Sequence, residues 1–259
     1  MKYELLLLDL DGTTVASKGD ALPSQRVIDT VAEAQKHVEV ALATGRPFDL
    51  AKPIIDALHL TGIGVFNGGA ELIDMGTGEV QSRQLLTAET LRELVHLALP
   101  FGYNIYTDAD EYGVPISIPE DVTDSAAKLF IEAVATKDAL HMLEQLNGVP
   151  ETSAHPTTSW DDGDVVDIHI THEHATKRHG AEQLITLLGL SKAQVIAVGD
   201  SHNDVPLLEA AGLKVAMGNA PDEVKGIADY IAPSLTDDGV AYVIEKFILG
   251  QHEGEVATN

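Results

Sequence analysis

The run Leu5-Leu6-Leu7-Leu8 ends in Asp9-Leu10-Asp11-Gly12-Thr13-Thr14, and no other segment restricts the fold as much. Consecutive leucines over strand length suit a strand buried on both faces, which is the strand of a parallel sheet. The acids then sit at its carboxyl end, where open α/β sheets present their ligand crevice. Alternate residues of an extended chain share a face, so Asp9 and Asp11 can converge on one small volume. Two such groups can hold a hard cation, and one can attack while the other moves a proton. Alone, the segment would serve equally well as a turn with helix-capping aspartates.

The next residues repeat the pattern. Val27, Ile28, Val31 and Ala34 recur at helical spacing behind Ser24, a plausible N-cap. Residues 38–43 read as a strand ending at Thr44-Gly45-Arg46-Pro47. A helix carrying Pro53 runs to Leu60, and the short strand 63–66 leads into Asn67-Gly68-Gly69-Ala70. The order then changes: a hairpin over 71–83, a helix capped by Thr87, strands at 103–107 and 114–118, helices at 126–134 and 139–146, and strands at 153–159 and 165–171. Alternation resumes with a helix at 175–188, a strand at 195–198 ending in Gly199-Asp200, and helix-strand pairs to residue 249. The expected class is α/β: a parallel Rossmann-like core sheet over 1–83 and 173–259, with an inserted α+β cap domain at 84–172.

Composition narrows the partners. The net charge of -25, from 41 acidic and 16 basic residues, lacks the basic footprint that nucleic acid requires. A divalent cation is welcome in such a field, whereas an anionic substrate needs a locally positive site. No apolar run approaches the ~18 residues of a membrane span. The absence of cysteine excludes disulfides and thiolate chemistry and makes a cytoplasmic location the default expectation. Nothing points beyond a monomer or homodimer. His169, His172, His174 and His179 gather in sequence but cross from strand to turn to helix, so they do not read as a metal site.

Polar signatures end three of the expected parallel strands: Asp9-x-Asp11, Thr44-Gly45-Arg46 and Gly199-Asp200-Ser201-His202-Asn203-Asp204. Together with Lys177 they resemble, in order, the four motifs of the haloacid dehalogenase-like hydrolases. Asn67-Gly68-Gly69-Ala70, Met217-Gly218-Asn219-Ala220 and Asp238-Gly239-Val240-Ala241 are similar to stretches of that family's Cof-type branch. Thr14 stands where leucine is frequent, and an extra glycine precedes Ala70.

The resemblance implies a Mg²⁺-dependent phosphomonoester hydrolase working through an aspartyl-phosphate on a small phosphorylated metabolite, a sugar phosphate or phosphoglycolate. It makes Asp9 the nucleophile and Asp11 the acid and base. Lys177, Thr44, turn N–H groups near Gly12 and Gly45, and the Asn203 amide would hold phosphoryl oxygens. Mg²⁺ would fall to Asp9, the Asp11 backbone carbonyl and Asp200, with Asp204 a further ligand or an orienting group. Arg46 faces either substrate or an ion-pair partner, and Arg178 rivals Lys177. The 131 positions from Arg46 to Lys177, against 33 from Asp11 to Thr44, put the insertion after the second motif, as in a type IIB cap. Within it, Tyr106, Asp108, Asp110, Tyr112, His155, Trp160, Asp161 and Asp162 are candidate substrate contacts. A phosphomutase on the same scaffold, or a catalytically idle regulator that binds a phospho-metabolite, is the alternative.

Overall fold

A computed structural model describes residues 2–16, 21–107, 115–158 and 164–251. The chain divides into two compact units, Met1–Ser82 with Thr176–Asn259, and Arg83–Ala175.

The first unit begins with β1 (Leu5–Leu8), whose side chains are all buried. Burying a leucine fully is worth about 1.5–3 kcal/mol, so this strand anchors the sheet. Ser24 caps α1 (Gln25–Ala34) by accepting the Val27 amide, and Val27, Val31 and Ala34 form its buried stripe. There follow β2 (Glu39–Leu42), α2 (Phe48–Leu58), β3 (Ile63–Phe66), β4 (Glu71–Asp74) and β5 (Val80–Arg83). The second unit holds α3 (Ala88–Ala98), β6 (Ile105–Thr107), β7 (Lys128–Ala135), α4 (Thr136–Leu146), β8 (Thr152–Thr158) and β9 (Val165–His172). The chain returns to the first unit through α5 (Lys177–Leu187), β10 (Val195–Gly199), α6 (Val205–Ala210), β11 (Leu213–Ala216), α7 (Asp222–Lys225), β12 (Tyr230–Ile231) and α8 (Gly239–Phe247).

The core sheet has the order β12-β11-β10-β1-β2 and is parallel throughout. A single parallel bridge, Ala43 to Val65, sets β3 beside β2. The class is the α/β one expected from the sequence. In register, Leu8 lies level with Val198 on one side and Leu42 on the other. The residues just beyond those three therefore leave one edge of the sheet together, and these are the acid and Thr-Gly-Arg loops.

The second unit is a four-stranded antiparallel sheet, β6-β7-β9-β8, with its own apolar cluster. One expectation fails here. Most of residues 126–134, read as a helix, lie in strand β7 (Lys128–Ala135) instead. Leu129 and Ile131 are buried at a spacing of two, and a register shift before Val134, with Ala133 at φ 50°, moves the next buried side chain on by three. Ala126, Leu129, Phe130 and Val134 imitate helical spacing in the sequence, and pairing on both edges overrides the alanine-rich helical propensity. The described part of the expected strand 114–118 is not a strand, although the Ile116 amide donates to the Ile105 carbonyl at 2.8 Å. Asp108, Asp110, Tyr112, Trp160, Asp161 and Asp162 lie outside the described residues.

Candidate active site

Three adjacent strands, β10, β1 and β2, each deliver part of the site. Asp9 continues the ladder of β1, its amide donating to the Val198 carbonyl at 3.0 Å. The chain then folds into a tight turn in which the Gly12 amide donates to Val15 and the Thr14 and Val15 amides share the Leu10 carbonyl. The amides of Gly12, Thr13, Thr14 and Val15 are spent inside the turn, so the expected Gly12 donor is engaged with Val15. Gly12 itself sits at φ 86°, and a Cβ there would lie 2.2 Å from Asp200 Oδ2. Glycine is required both by the backbone and by the approach of the second acid loop.

Asp9, Asp200 and Asp204 place carboxylate oxygens within 4.8 Å of one another. Asp204 is completely buried. Its Oδ2 accepts the amides of Asp200 and Ser201 and the Ser201 hydroxyl, each at 3.0 Å. Its Oδ1 accepts Lys177 Nζ at 2.6 Å, and the same amine donates to Asp9 Oδ1 at 2.5 Å. Lys177 is the first residue of α5, behind the N-cap Thr176, and only 5% exposed. Arg178, its neighbour, faces away and pairs with Glu182 and Glu209 at the surface.

Asp11 is not in this cluster. Its carboxylate takes a two-pronged ion pair from Arg46, at 2.6 and 2.9 Å. Asn203 is exposed and its side chain accepts from the Ser201 hydroxyl. Thr44 is buried and its hydroxyl accepts the Arg46 amide at 3.0 Å. Space is open beside Gly45, where a Cβ would meet nothing within 4 Å. The turn carrying Thr44 and Arg46 is held by the next loop: the Asn67 amide donates to the Arg46 carbonyl and the Gly68 amide to the Thr44 carbonyl. Among the cap candidates, Tyr106 donates its hydroxyl to Glu132 and His155 lies against His169, all in the second unit.

Burial pushes Asp9 up to about 7 against the Lys177 ammonium, with Asp204 and Asp200 adding to the rise. Burial likewise pushes Asp200 to about 6, with help from Asp204 and Asp11. Desolvation would lower Lys177, but Asp9 and Asp204 outweigh it and hold the amine protonated well above the usual range. Both raised carboxylates bind protons in the folded chain before they do in the unfolded one. Their contribution to stability is therefore present at low pH and lost as pH rises through about 6 and 7. In EDTA, the melting temperature is expected to fall across that window, less steeply in Asp9→Asn; equal slopes in the two proteins would refute the assignment.

Two groups that motif reading assigned no role also touch the acids. Thr13 donates its hydroxyl to Asp200 Oδ1 at 2.9 Å, and Asn219 donates to Asp200 Oδ2 at 3.3 Å. The signal for Asn219 was present in Met217-Gly218-Asn219-Ala220, but nothing in one sequence says which loop that stretch meets.

Such loops on such a sheet define a hydrolase class, and comparison with known proteins agrees. Residues 6–137 and 115–244 match the haloacid dehalogenase-like hydrolase family. The chain belongs to that family, in its Cof-type branch. It is 30% identical over 254 residues to phosphoglycolate phosphatase 1 of Saccharolobus solfataricus, covering 97% of this chain and 98% of that protein. It is 29% identical over 251 residues to a 5-amino-6-(5-phospho-D-ribitylamino)uracil phosphatase of Bacillus subtilis, covering 95% and 96%. A haloacid dehalogenase-like hydrolase structure from Bacteroides thetaiotaomicron superposes with a TM-score of 0.77 at 24% identity, covering 95% of this chain and 99% of that one. Among the described residues no helix is long and apolar enough to cross a membrane.

Proposed function

We propose that this chain is a Mg²⁺-dependent phosphomonoesterase that acts on small phosphorylated metabolites through a phosphoaspartate at Asp9. The observation that carries the reading is the buried Lys177 amine shared by Asp9 and Asp204, beside Asp200. The donor set fits the metal: carboxylate oxygens crowd together, and burial, with the neighbouring carboxylates adding to it, pushes two of them toward protonation. Oxygen-only ligands suit a hard cation. Asp9 and Asp200 would hold it, with Asp11 contributing its backbone carbonyl and Asp204 orienting the loop. When bound, Mg²⁺ would offset the charge of the phosphate and let an anionic carboxylate approach it.

The chemistry of the chain's own groups follows. Asp9 attacks phosphorus, and the bond to the leaving alcohol breaks as Asp11 gives that oxygen a proton. Asp11 then takes a proton from the water that hydrolyses the phosphoaspartate. For both steps Asp11 must loosen its ion pair with Arg46. An ammonium has three donors. Lys177 spends two of them on Asp9 and Asp204 and keeps one for a phosphoryl oxygen. Thr44 uses an oxygen lone pair for the Arg46 amide and keeps its O–H to donate. Gly45 leaves room for the phosphate. We further assign unit Arg83–Ala175 as the cap that selects the leaving group. The named activities of the relatives suggest a phosphoglycolate or a phosphorylated sugar-like chain as substrate.

The direct test is release of p-nitrophenol from p-nitrophenyl phosphate, followed by a screen of phosphorylated metabolites. Turnover is expected with Mg²⁺ and should vanish in EDTA. Turnover that persists in EDTA would refute the metal assignment, and no phosphate release from any ester would refute the activity.

A further inference from the structure

Both oxygens of Asp200 already carry a fixed donor, and the two donors come from different loops. Thr13, in the turn after β1, gives its hydroxyl to Oδ1 at 2.9 Å. Asn219, in the loop after β11, gives Nδ2 to Oδ2 at 3.3 Å and also to the Gly12 carbonyl at 2.9 Å. The opposite end of the same amide accepts the Leu235 amide at 2.9 Å. One side chain thus ties the first acid loop, the second acid loop and the segment that precedes α8.

We propose that Asn219, together with Thr13, is a positioning residue that aims Asp200 at the divalent cation. The inference rests on the cation reading above. The physical need is clear in the geometry. Asp200 is only half-buried, faces two other carboxylates, and is repelled by both. Left to itself it would turn toward water. Gly12 opens the space into which it is drawn, and the two donors pin it there, leaving the other lone pairs of each oxygen for a cation. An amide suits position 219 because it combines two N–H donors for oxygens with one acceptor for a backbone amide. Aspartate would set a third negative group against Asp200, and lysine would leave Leu235 without its acceptor.

Groups that orient a metal ligand through hydrogen bonds typically change metal affinity by about 10–100-fold when removed. Calorimetric titration of Mg²⁺ into wild type, Asn219→Ala, Thr13→Val and Thr13→Ser tests the proposal, with melting temperatures of the metal-free proteins measured alongside. Asn219→Ala and Thr13→Val are expected to raise the Mg²⁺ dissociation constant about tenfold or more. Thr13→Ser, which keeps the hydroxyl, should stay near wild type. In turnover, saturating Mg²⁺ should recover most of the loss in Asn219→Ala, which separates weakened binding from damaged chemistry.

A folded Asn219→Ala that binds Mg²⁺ as wild type does would overturn the proposal, even if its melting temperature drops, because the contact would then be merely structural. Should Asn219→Ala fail to fold, the contrast between Thr13→Val and Thr13→Ser decides. Equal affinities in that pair would also overturn it. A wild type that shows no binding of Mg²⁺ would instead remove the cation reading itself, and the inference with it.

Discussion

Asp9→Asn is expected to lower phosphate release by about 10⁴-fold or more, as loss of an essential nucleophile does. The substitution is nearly isosteric. The amide oxygen can still accept the Lys177 hydrogen bond that the carboxylate takes at 2.5 Å. What disappears is the anion proposed to attack phosphorus, and a carboxamide forms no stable phosphoenzyme. Stability should move the other way. Burial already pushes this carboxyl up to about 7, so removing its charge relieves a strained group at pH above that value. The metal-free variant should melt no lower than wild type at about pH 8. Steady-state turnover and trapping of a labelled phosphoenzyme check the first claim, and a scan in EDTA checks the second. Turnover within tenfold of wild type would show that another group attacks.

Lys177→Met is expected to be costly on both counts. Lys177 is buried between Asp9 and Asp204, and Asp204 has no exposure at all. Removing one partner of a buried ion pair leaves uncompensated charge and typically costs about 3–5 kcal/mol. Methionine keeps the length and apolar stem, so the loss reports the charge rather than a cavity. Turnover should fall by about 10²–10³, the scale of a lost donor to the reacting oxygens. On the proposed metal reading Mg²⁺ binds the folded site alone, so it should raise the urea midpoint of the variant. A variant as stable in EDTA as wild type would mean that the amine does not hold the acids together.

The first unit was legible because parallel sheets write themselves plainly. Leu5–Leu8 is apolar on both faces, and the polar residue at its end has no structural reason to be acidic. The same holds for Val195–Gly199 before Asp200. Strand register then does what sequence cannot state, bringing the ends of β10, β1 and β2 level. The second unit was less legible. Its strands are half-buried and antiparallel, and the bulge at Ala133 destroyed the one regularity that would have marked β7. The side-chain partners of Asp11 and Asp200 were also hidden. Sequence alone leaves Arg46 open between substrate and ion pair, and Asn219 meets Gly12 only through a fold that brings together residues 207 positions apart. Such pairings depend on loop geometry, not on any periodicity.

The hydrogen bond between Thr13 and Asp200 closes a separation of 187 residues. A growing chain leaving the ribosome therefore exposes Asp9, the proposed nucleophile, long before β10, and cannot assemble the proposed centre until β10 and the loop after it have emerged. Contacts so distant along the chain form slowly, because the loop they close is long. Partly synthesised or partly refolded chains should then be inert rather than weakly active, and regain of turnover would report closure of the β1–β10 seam more faithfully than regain of helix.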